Sequence, residues 1–368
     1  MNYPSGKIDH PSQVPAGVRY AGYLRLFRLS VAAPISVAFL LGISDREMTH
    51  RPVLVAWLWV LGVLYHAYSC GLNDIADADI DKLNPSRSTS PLPGSLITRQ
   101  EALLATNLTG IFFLCVPVIA GFPGEVFFGC AVLAALVTWG NLFQKRARYL
   151  PTMVIDWFFI FVAGGPVIIG ELAAGSHQTQ AVQIAAIAFG IQMVLFNVLA
   201  GNIKDLEHDT LAGSKTTAIA LGVHMQDGRI LMPLRYRRYV ILLQVLSISA
   251  LVAAFPAPRN LWVISCYILA AASLSGSTWD IWRTINGSHL PKNGRQLAVI
   301  LNWLALVIVV GSRQPVVASV SLMLVMLWVP GIRLLEARPV AAPTTASPAD
   351  ARAQSMAATP DTYKGRSA

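Results

Sequence analysis

Two short acidic runs contain the residues of this chain whose types and spacing are best suited to metal chemistry. The first run, residues 73–81, reads NDIADADID. On a helix, Asn73, Asp77 and Asp81 follow one another at four-residue intervals, and Asp74 lies on the same face. Clustered carboxylate and amide oxygens suit Mg²⁺, which usually binds through a few carboxylates together with the phosphates of a substrate. The first run therefore predicts a magnesium site.

The second acidic run, residues 202–209, reads NIKDLEHD and is followed by GSKTT. Asp205 and Asp209 share a helix face, and Lys204 and Lys215 lie nearby in the sequence. Acids that hold a metal, next to bases that take up the remaining charge, favour a diphosphate site. A single pair of this kind is more often a solvated cap at a helix end. Because the pattern occurs twice, a functional site is the preferred interpretation.

The elements that must position these runs are membrane helices. Hydrophobic residues make up 54% of the chain and charged residues 13%, whereas a soluble domain has about 25% charged residues. The apolar residues form runs close to the length of about 20 residues that crosses a bilayer. We count ten runs, of which the ninth is short and the last two could form one broken helix. They are residues 29–44, 52–72, 102–121, 124–143, 150–172, 181–200, 240–255, 261–275, 296–311 and 316–334. The sequence therefore predicts an all-α polytopic membrane protein with about nine to ten transmembrane helices.

The distribution of basic residues predicts how these helices are oriented. If the gaps alternate from a cytoplasmic N-terminus, only Arg46, Arg51, Arg259 and Arg313 fall on the opposite side. This asymmetry follows the positive-inside rule and places both acidic runs at cytoplasmic helix ends. It also accounts for the net charge of +9, so the predicted partner is the lipid bilayer and not nucleic acid.

Composition divides the chain into three regions. Residues 1–20 form a polar arm that lacks the apolar core of a cleavable signal. Residues 21–336 are predicted to form a single integral membrane domain. Residues 337–368 are rich in Ala, Pro, Ser and Thr, and this composition predicts a disordered tail.

The acidic runs and their surroundings resemble the two signatures of the UbiA superfamily of intramembrane prenyltransferases. The resemblance extends over most of the chain up to about residue 222, and the pairing of the two motifs makes it specific. The matching residues are 73–81, 91–93 and 97–98 for the first signature, Asp205, Asp209, 213–216 and 221–222 for the second, and also Arg28, Pro34, Lys145 and Arg146.

The resemblance implies a fold and a set of ligands. The fold is a helical bundle around a central cavity, capped by cytoplasmic Asp-rich loops. The ligands are Mg²⁺, an isoprenyl diphosphate and a lipophilic or aromatic acceptor. The implied metal ligands are Asn73, Asp74, Asp77, Asp81, Asp205 and Asp209, of which Asp77, Asp81, Asp205 and Asp209 are also the implied catalytic residues. The implied substrate-binding residues are Asn73, Arg28, Lys145, Arg146 and Lys215.

One part of the first signature departs from the family pattern. Family members commonly have an Arg-Thr pair and then an Arg directly before the Pro-Leu of this signature. Here those places read Ser86-Arg87 and Ser90. Arg87 is predicted to replace the arginine of the pair from the next position and to bind substrate. The arginine before Pro91 is absent, so the diphosphate or the acceptor must be contacted differently.

Polar and aromatic residues inside the apolar runs are weaker candidates. Asp156 is the seventh residue of the run 150–172, where an acid usually faces the interior and is functional or paired. We predict either a catalytic role, in which it activates an acceptor, or pairing with Lys145 or Arg146. His66 is interpreted as a core histidine. Aromatic residues that could stabilise a carbocation, or simply pack against helices and lipid, are Trp139, Phe143, Phe158, Phe159, Phe161 and Phe196.

Three classes of function remain open at this point. The first is transfer of an isoprenyl group to an aromatic or quinone-precursor acceptor. The second is a terpene cyclase, which needs the same diphosphate site and is slightly favoured by the missing arginine before Pro91. The third is a transporter or channel, which is disfavoured because the carboxylates cluster at one surface and transport sites usually lie near the bilayer midplane.

Overall fold

A computed structural model describes residues 16–82, 87, 90–143, 152–175, 180–211, 213–226, 229–254, 260–286 and 294–336. The first fifteen residues, the tail from residue 337, and the predicted site residues Lys145 and Arg146 lie outside the described residues. The helices are α1 (Ala16–Leu26), α2 (Ala33–Leu40), α3 (Asp45–His50), α4 (Pro52–Asp81), α5 (Arg99–Ile119), α6 (Gly124–Phe143), α7 (Thr152–Ala174), α8 (Gln180–Phe196), α9 (Asn202–Lys204), α10 (Leu206–Leu211), α11 (Thr217–Ala220), α12 (Leu234–Ala254), α13 (Leu261–Asn286), α14 (Gly294–Gly311) and α15 (Pro315–Glu336). The shorter elements are a 3₁₀ turn (Leu29–Val31), a π-helical turn (Asn197–Gly201) and an antiparallel hairpin of β1 (His224–Gln226) and β2 (Arg229–Leu231).

The helices confirm the predicted all-α membrane architecture. Among the described residues, eight helices are long and apolar enough to cross a bilayer, and a ninth span results if α1 and α2 count as one broken helix. The predicted ninth run corresponds to a shorter apolar helix, Ile300–Gly311. The last two predicted runs are separate helices, α14 and α15. The protein is therefore a multi-pass integral membrane protein.

The first span is interrupted after α1 ends at Leu26, and its two segments, Arg19–Val31 and Ala33–Leu40, are bent by 50° relative to each other. Arg28 has a left-handed backbone, with φ 45° and ψ 44°, a conformation that is uncommon for any residue other than glycine. Two other helices hold the break. The His66 Nε2 atom of α4 is hydrogen-bonded to the Arg28 carbonyl oxygen at 3.2 Å, and the Trp328 indole of α15 donates to the Leu29 carbonyl oxygen at 2.6 Å. His66 is thus a satisfied core residue, as expected from the sequence.

Glycines allow α7 to pack closely against both α2 and α8. A Cβ atom added at Gly170 of α7 would overlap the Phe39 carbonyl oxygen, and one added at Gly164 would overlap the Ala186 carbonyl oxygen. Small residues at such crossings let helix backbones approach, which is how membrane helices gain contact in the absence of a strong hydrophobic effect. The close packing fixes α7, which carries Asp156, at the centre of the bundle.

Replacing Gly170 with alanine is expected to destabilise the protein by about 1–3 kcal/mol, because the new methyl group meets backbone that cannot move aside. Gly331 is a matched control, since it also lies within a helix and a Cβ added there has nothing within 4 Å. The measurement is the thermal unfolding midpoint of each purified variant in detergent. We expect a clear fall for Gly170→Ala and an unchanged or slightly higher midpoint for Gly331→Ala. Equal midpoints would contradict the close helix crossing.

Loop contacts define the end of the bundle opposite the acidic runs. The Arg51 guanidinium donates to the Ala174 carbonyl oxygen at 2.9 Å, and Arg313 donates to the Ala254 carbonyl oxygen at 3.1 Å. The Val317 amide donates to the Asp45 carboxylate at 2.9 Å. Arg51 and Arg313, predicted to share one side of the membrane, therefore lie at the same end of the bundle and cap helix C-termini there.

Candidate active site

The first acidic run forms the last turns of α4. The helix continues through Asp81, so these residues are not in a loop, and the four-residue spacing places their side chains on one face. Asp77 is only 9% exposed, and Asp74 and Asp81 are partly buried. Asp79 lies on the other face, with a side chain that is 60% exposed and ion pairs at 3.5 Å to Lys82 and Arg99. The helix thus separates inward acids from an outward acid.

Arg28 forms an ion pair with Asp74, the first inward acid. The Asn73 side chain is also hydrogen-bonded to this carboxylate. Arg28 reaches the Asp74 carboxylate from the interruption in the first span. Its left-handed backbone therefore places a cation at the end of the bundle that carries the acidic runs. A partly buried carboxylate is costly unless a charge or hydrogen-bond donors compensate it, and Arg28 and Asn73 together provide that compensation.

Arg87 joins the two acidic runs. Its Nε atom lies 4.0 Å from an Asp81 carboxylate oxygen, and its Nη2 atom lies 3.8 Å from an Asp205 carboxylate oxygen. All three side chains are partly buried. A single guanidinium therefore contacts acids more than a hundred residues apart in the sequence, and both runs line one charged site.

The second acidic run is held by a series of short irregular elements. The π-helical turn leads into α9, whose C-cap is Asp205 (φ −101°, ψ 8°), and α10 comes next. The Asp209 amide donates to the Asp205 carbonyl oxygen at 2.8 Å, and the Ser214 amide donates to the Asp209 carbonyl oxygen at 2.8 Å. Asp209 is 1% exposed, whereas Asp205 is partly exposed beside Arg87. The turn at Gly213 has a left-handed backbone, which glycine adopts without strain.

Lys204, one of the two bases that the sequence placed beside the second acidic run, belongs to the site. Its ammonium group interacts electrostatically with Asp205 and Asp81 and also with the cations Arg87 and Arg28. Its position directly before Asp205 was the only signal in the sequence.

The predicted ligand Lys215 is exposed and forms no ion pair with another residue of the described ranges. The structure thus brings together Arg28, Arg87 and Lys204, and it leaves Lys215 at the edge.

Asp156 is buried inside the bundle, with 2% of its surface exposed. One carboxylate oxygen accepts a hydrogen bond from the Asn197 side-chain amide at 3.2 Å, and the other accepts one from the Thr217 hydroxyl. These partners differ from the predicted Lys145 and Arg146. Pairing with those two bases stays a prediction, since neither lies in the described chain.

The aromatic candidates differ in how closely they are packed. Trp139 of α6 packs edge-on against Phe158 of α7, with ring centroids 5.0 Å apart, and Phe159 packs against buried hydrophobic residues of the bundle. Phe161 is 63% exposed and Phe196 is also exposed, so these two are packed less closely. Trp139, Phe158 and Phe159 remain the candidates for contact with an apolar substrate.

The donor set at this end of the bundle fits Mg²⁺ bound together with a diphosphate. Among the described residues, no group of three or more His, Cys, Asp or Glu side chains lies close enough to hold a metal by itself. The acids instead alternate with Arg28, Arg87 and Lys204. Mg²⁺ prefers oxygen ligands and commonly uses only one or two carboxylates plus phosphate oxygens. Acids that lie next to cations therefore suit a metal that arrives with an anionic substrate.

The sequence matches a known protein family over most of its length. The sequence matches the family described as the UbiA prenyltransferase family over residues 31–292. This range contains both acidic runs, Arg87 and Asp156.

Curated relatives are similar at low identity. The chain is 24% identical over 183 residues to a 4-hydroxybenzoate octaprenyltransferase of Blochmanniella pennsylvanica, covering 50% of this chain and 60% of that protein. It is 28% identical over 214 residues to a 4-hydroxybenzoate octaprenyltransferase of Burkholderia pseudomallei, covering 56% and 70% of the two chains. The alignment thus spans less than two thirds of the first relative.

Solved structures show the same fold. A UbiA homologue from Archaeoglobus fulgidus bound to GPP and Mg²⁺ has a TM-score of 0.57 at 20% identity, covering 79% of this chain and 99% of that one. An apo UbiA homologue from Aeropyrum pernix has a TM-score of 0.58 at 14% identity, covering 82% and 98%. At such identities the similarity establishes the architecture alone.

Proposed function

The chain belongs to the UbiA prenyltransferase family, and from this premise we propose the reaction that it catalyses. It transfers an isoprenyl group from an isoprenyl diphosphate to an aromatic or quinone-precursor acceptor within the membrane, with Mg²⁺ as cofactor. The observation that carries the proposal is the position of Arg87 between Asp81 and Asp205. It makes the two acidic runs one site, at the end of an apolar bundle that we propose faces the cytoplasm.

The acids would hold the metal in this proposal. Ligands drawn from Asn73, Asp74, Asp77 and Asp81 of α4 would bind one Mg²⁺ ion together with diphosphate oxygens, and Asp205 and Asp209 would bind a second in the same way. When bound, Mg²⁺ would neutralise charge on the diphosphate and so make it a better leaving group. The assignment is supported by the inward face of α4 and by the burial of Asp77 and Asp209.

The cations would hold the diphosphate and stabilise it as it departs. Arg28 and Arg87 present guanidinium groups, whose planar fork matches pairs of phosphate oxygens. Lys204 would add a third positive charge near the same oxygens. Lys215 and, from the family resemblance, Lys145 and Arg146 are proposed as further contacts. In the free protein these cations compensate the acids, and the arriving substrate would take over that role.

The apolar bundle would serve the other half of the reaction. Breaking the allylic carbon–oxygen bond leaves a carbocation, which survives only where water is excluded and which aromatic faces stabilise. Trp139 and Phe158 are proposed for this role. An aromatic acid acceptor is supported by the relatives named 4-hydroxybenzoate octaprenyltransferase, at 24% and 28% identity.

A second candidate function is closure of the carbocation on itself, which would make the protein a terpene cyclase. The observation that favours it is Ser90, which stands where family members commonly have an arginine. A cyclase has no acceptor and needs no cation to bind an acceptor's anionic group. The absence of an arginine at position 90 would therefore not impair acceptor binding in a cyclase.

One experiment separates these functions. Membranes that contain the expressed protein would receive Mg²⁺ and labelled geranyl, farnesyl or geranylgeranyl diphosphate, with and without a panel of aromatic acids and quinone precursors. We expect a prenylated product that forms only when an acceptor is present. A cyclic hydrocarbon or alcohol formed from the diphosphate alone would establish the cyclase. Failure to consume any diphosphate would overturn both proposals.

Replacing Arg87 with alanine is expected to raise the KM for the isoprenyl diphosphate by about 10–100-fold, because one or two charge-assisted hydrogen bonds to the diphosphate would be lost. Arg87→Lys should recover part of this loss, because the ammonium keeps the charge and lacks the fork. Arg99→Ala is the matched control, since Arg99 pairs only with the exposed Asp79 among the residues described. Steady-state kinetics at saturating Mg²⁺ checks the expectation. An unchanged KM in Arg87→Ala would remove this residue from the diphosphate site.

A further inference from the structure

We propose that Asp156 is a positioning residue that fixes the segment carrying Asp205 and Asp209. It acts by tying together the two flanks of that segment, Asn197 before it and Thr217 after it. This inference rests on the proposed function only where it concerns catalysis, because the acids being positioned are the proposed metal ligands. The tie itself is a structural statement that can be tested without any turnover.

The two oxygens of the Asp156 carboxylate bind opposite ends of the segment that carries Asp205 and Asp209. The Oδ1 atom accepts from the Asn197 amide at 3.2 Å, and the Oδ2 atom accepts from the Thr217 hydroxyl. Asn197 is the first residue of the π-helical turn, and Thr217 is the first residue of α11. The described residues between them, which include the proposed metal ligands Asp205 and Asp209, therefore lie between two points that are both attached to Asp156.

The segment needs an external tie because it is not one continuous helix. It begins with a π-helical turn, breaks at Asp205 and turns through left-handed Gly213. π-helical turns occur frequently at functional sites, but they do not fix the direction of the chain beyond them. Arg87 contacts Asp205 within the segment, and the Tyr236 hydroxyl donates to the Val198 carbonyl oxygen at 3.0 Å. That contact holds the start of the segment, whereas Asp156 reaches both of its flanks.

The position of Asp156 also explains why an acid is present inside an apolar helix. Burying a carboxylate in a membrane bundle is unfavourable unless donors satisfy it, and the Asn197 amide and the Thr217 hydroxyl are two such donors. Because α7 is packed closely against α2 and α8 through Gly170 and Gly164, its side chains have little freedom. Asp156 therefore presents a fixed pair of acceptors to which the flanks of the segment are attached.

A positioning role and a catalytic role make opposite predictions for asparagine. Asn has one accepting oxygen and one donating amide, and the Thr217 hydroxyl can accept as well as donate. Asp156→Asn can thus keep both hydrogen bonds while losing the charge and the ability to take up a proton. If Asp156 positions the segment, Asn should function and Ala should not. If it accepts a proton, Asn should be as impaired as Ala.

The first test is hydrogen–deuterium exchange on the purified protein, which requires no activity. We expect amides in residues 202–217 to exchange at least about tenfold faster in Asp156→Ala than in wild type, since local opening increases when local contacts are lost. Asp156→Asn should resemble wild type. Asp45→Ala is the matched control, because Asp45 also holds a neighbouring element, the start of α15, but at the opposite end of the bundle. Unchanged exchange at residues 202–217 in a folded Asp156→Ala variant would overturn the proposal.

The second test asks whether the tie matters for the metal site. We expect Asp156→Ala to raise the Mg²⁺ concentration for half-maximal activity by about 10–100-fold, the usual effect of losing a residue that orients metal ligands. The thermal stabilisation by Mg²⁺ with inorganic pyrophosphate should shift to higher Mg²⁺ concentration in parallel. Asp156→Asn should stay within about threefold of wild type, and Asp45→Ala should leave both values unchanged. Equal impairment of Asn and Ala with normal exchange would overturn positioning in favour of proton transfer.

Thr217 provides an independent variant should Asp156→Ala fail to fold. Thr217→Val keeps the shape and removes the hydroxyl, whereas Thr217→Ser keeps the hydroxyl. We expect faster exchange at residues 202–217 and a higher Mg²⁺ requirement in the valine variant, with rescue by serine. Identical behaviour of Val and Ser would contradict the tie. A wild-type protein that transfers no isoprenyl group would overturn the proposed function, while the exchange results would still decide the tie.

Discussion

Replacing Asp77 with asparagine is expected to lower the rate of prenyl transfer by at least about 10³-fold, with little change in stability. Removing one electrostatic group from a site that stabilises developing charge typically costs about 10²–10³-fold, and loss of a metal ligand adds to that cost. Asp77 lies on the inward face of α4 and is largely buried. Asparagine keeps its size and removes the charge that would hold Mg²⁺. Asp205→Asn, in the second acidic run, should have a comparable effect.

Asp79→Asn is the matched control for this prediction. It removes an acid from the same acidic run, two residues away, but Asp79 faces outward and pairs with Lys82 and Arg99. Exposed ion pairs of this kind contribute about 0–1 kcal/mol, so near-normal turnover is expected. The measurement is kcat for product formation, together with the unfolding midpoint of each variant. A folded Asp77→Asn variant with normal turnover, or an Asp79→Asn variant that is equally impaired, would refute the metal assignment.

The helices and the inward face of α4 were predictable because both depend on local pattern. An apolar run of about 20 residues predicts a membrane helix wherever it occurs, and nine of the ten runs coincide with a long helix, whereas the first run, 29–44, contains a 3₁₀ turn and the short helix α2. Acids at four-residue intervals share a face whatever surrounds them. The prediction that these acids lie in a loop was incorrect only in that α4 continues to Asp81. The predicted helix ended at Leu72 because the residues after it are polar. Their acids nevertheless keep the four-residue spacing of a helix.

The contacts that complete the site were not predictable, because helix packing determines them. The left-handed backbone of Arg28 is held by His66 and Trp328, and Trp328 lies in α15, the last helix of the described residues. Asp156 pairs with Asn197 and Thr217, and nothing in the sequence links the three. Sequence neighbours suggested Lys145 and Arg146 instead. Side chains from distant helices meet only after the bundle has formed, so no local pattern records their contact.

Removal of Mg²⁺ is expected to abolish product formation, with a loss at least as large as that caused by Asp77→Asn. The residues of the site predict this directly. Arg28, Arg87 and Lys204 supply three positive charges, but the acids around them supply more negative charge, so an added diphosphate would be repelled without a metal. EDTA should therefore stop turnover, and added Mg²⁺ should restore it. Ca²⁺ should restore less, because it is larger and prefers six to eight oxygen ligands.

The dependence on Mg²⁺ also identifies which acids are responsible. In Asp205→Asn the Mg²⁺ concentration for half-maximal activity should rise, because one carboxylate of the second acidic run is lost, whereas Asp79→Asn should match wild type. Activity that is indifferent to EDTA would overturn the metal-dependent mechanism as a whole. A rise in Asp79→Asn equal to that in Asp205→Asn would show that net charge near the membrane surface, and not ligation, sets the dependence. Ligation and net surface charge can be separated because the acids differ in position. Asp81 and Asp205 contact Arg87 within the site, whereas Asp79 pairs with Lys82 and Arg99 on the outward face. Only ligation predicts an effect on the inward acids of the site that spares Asp79.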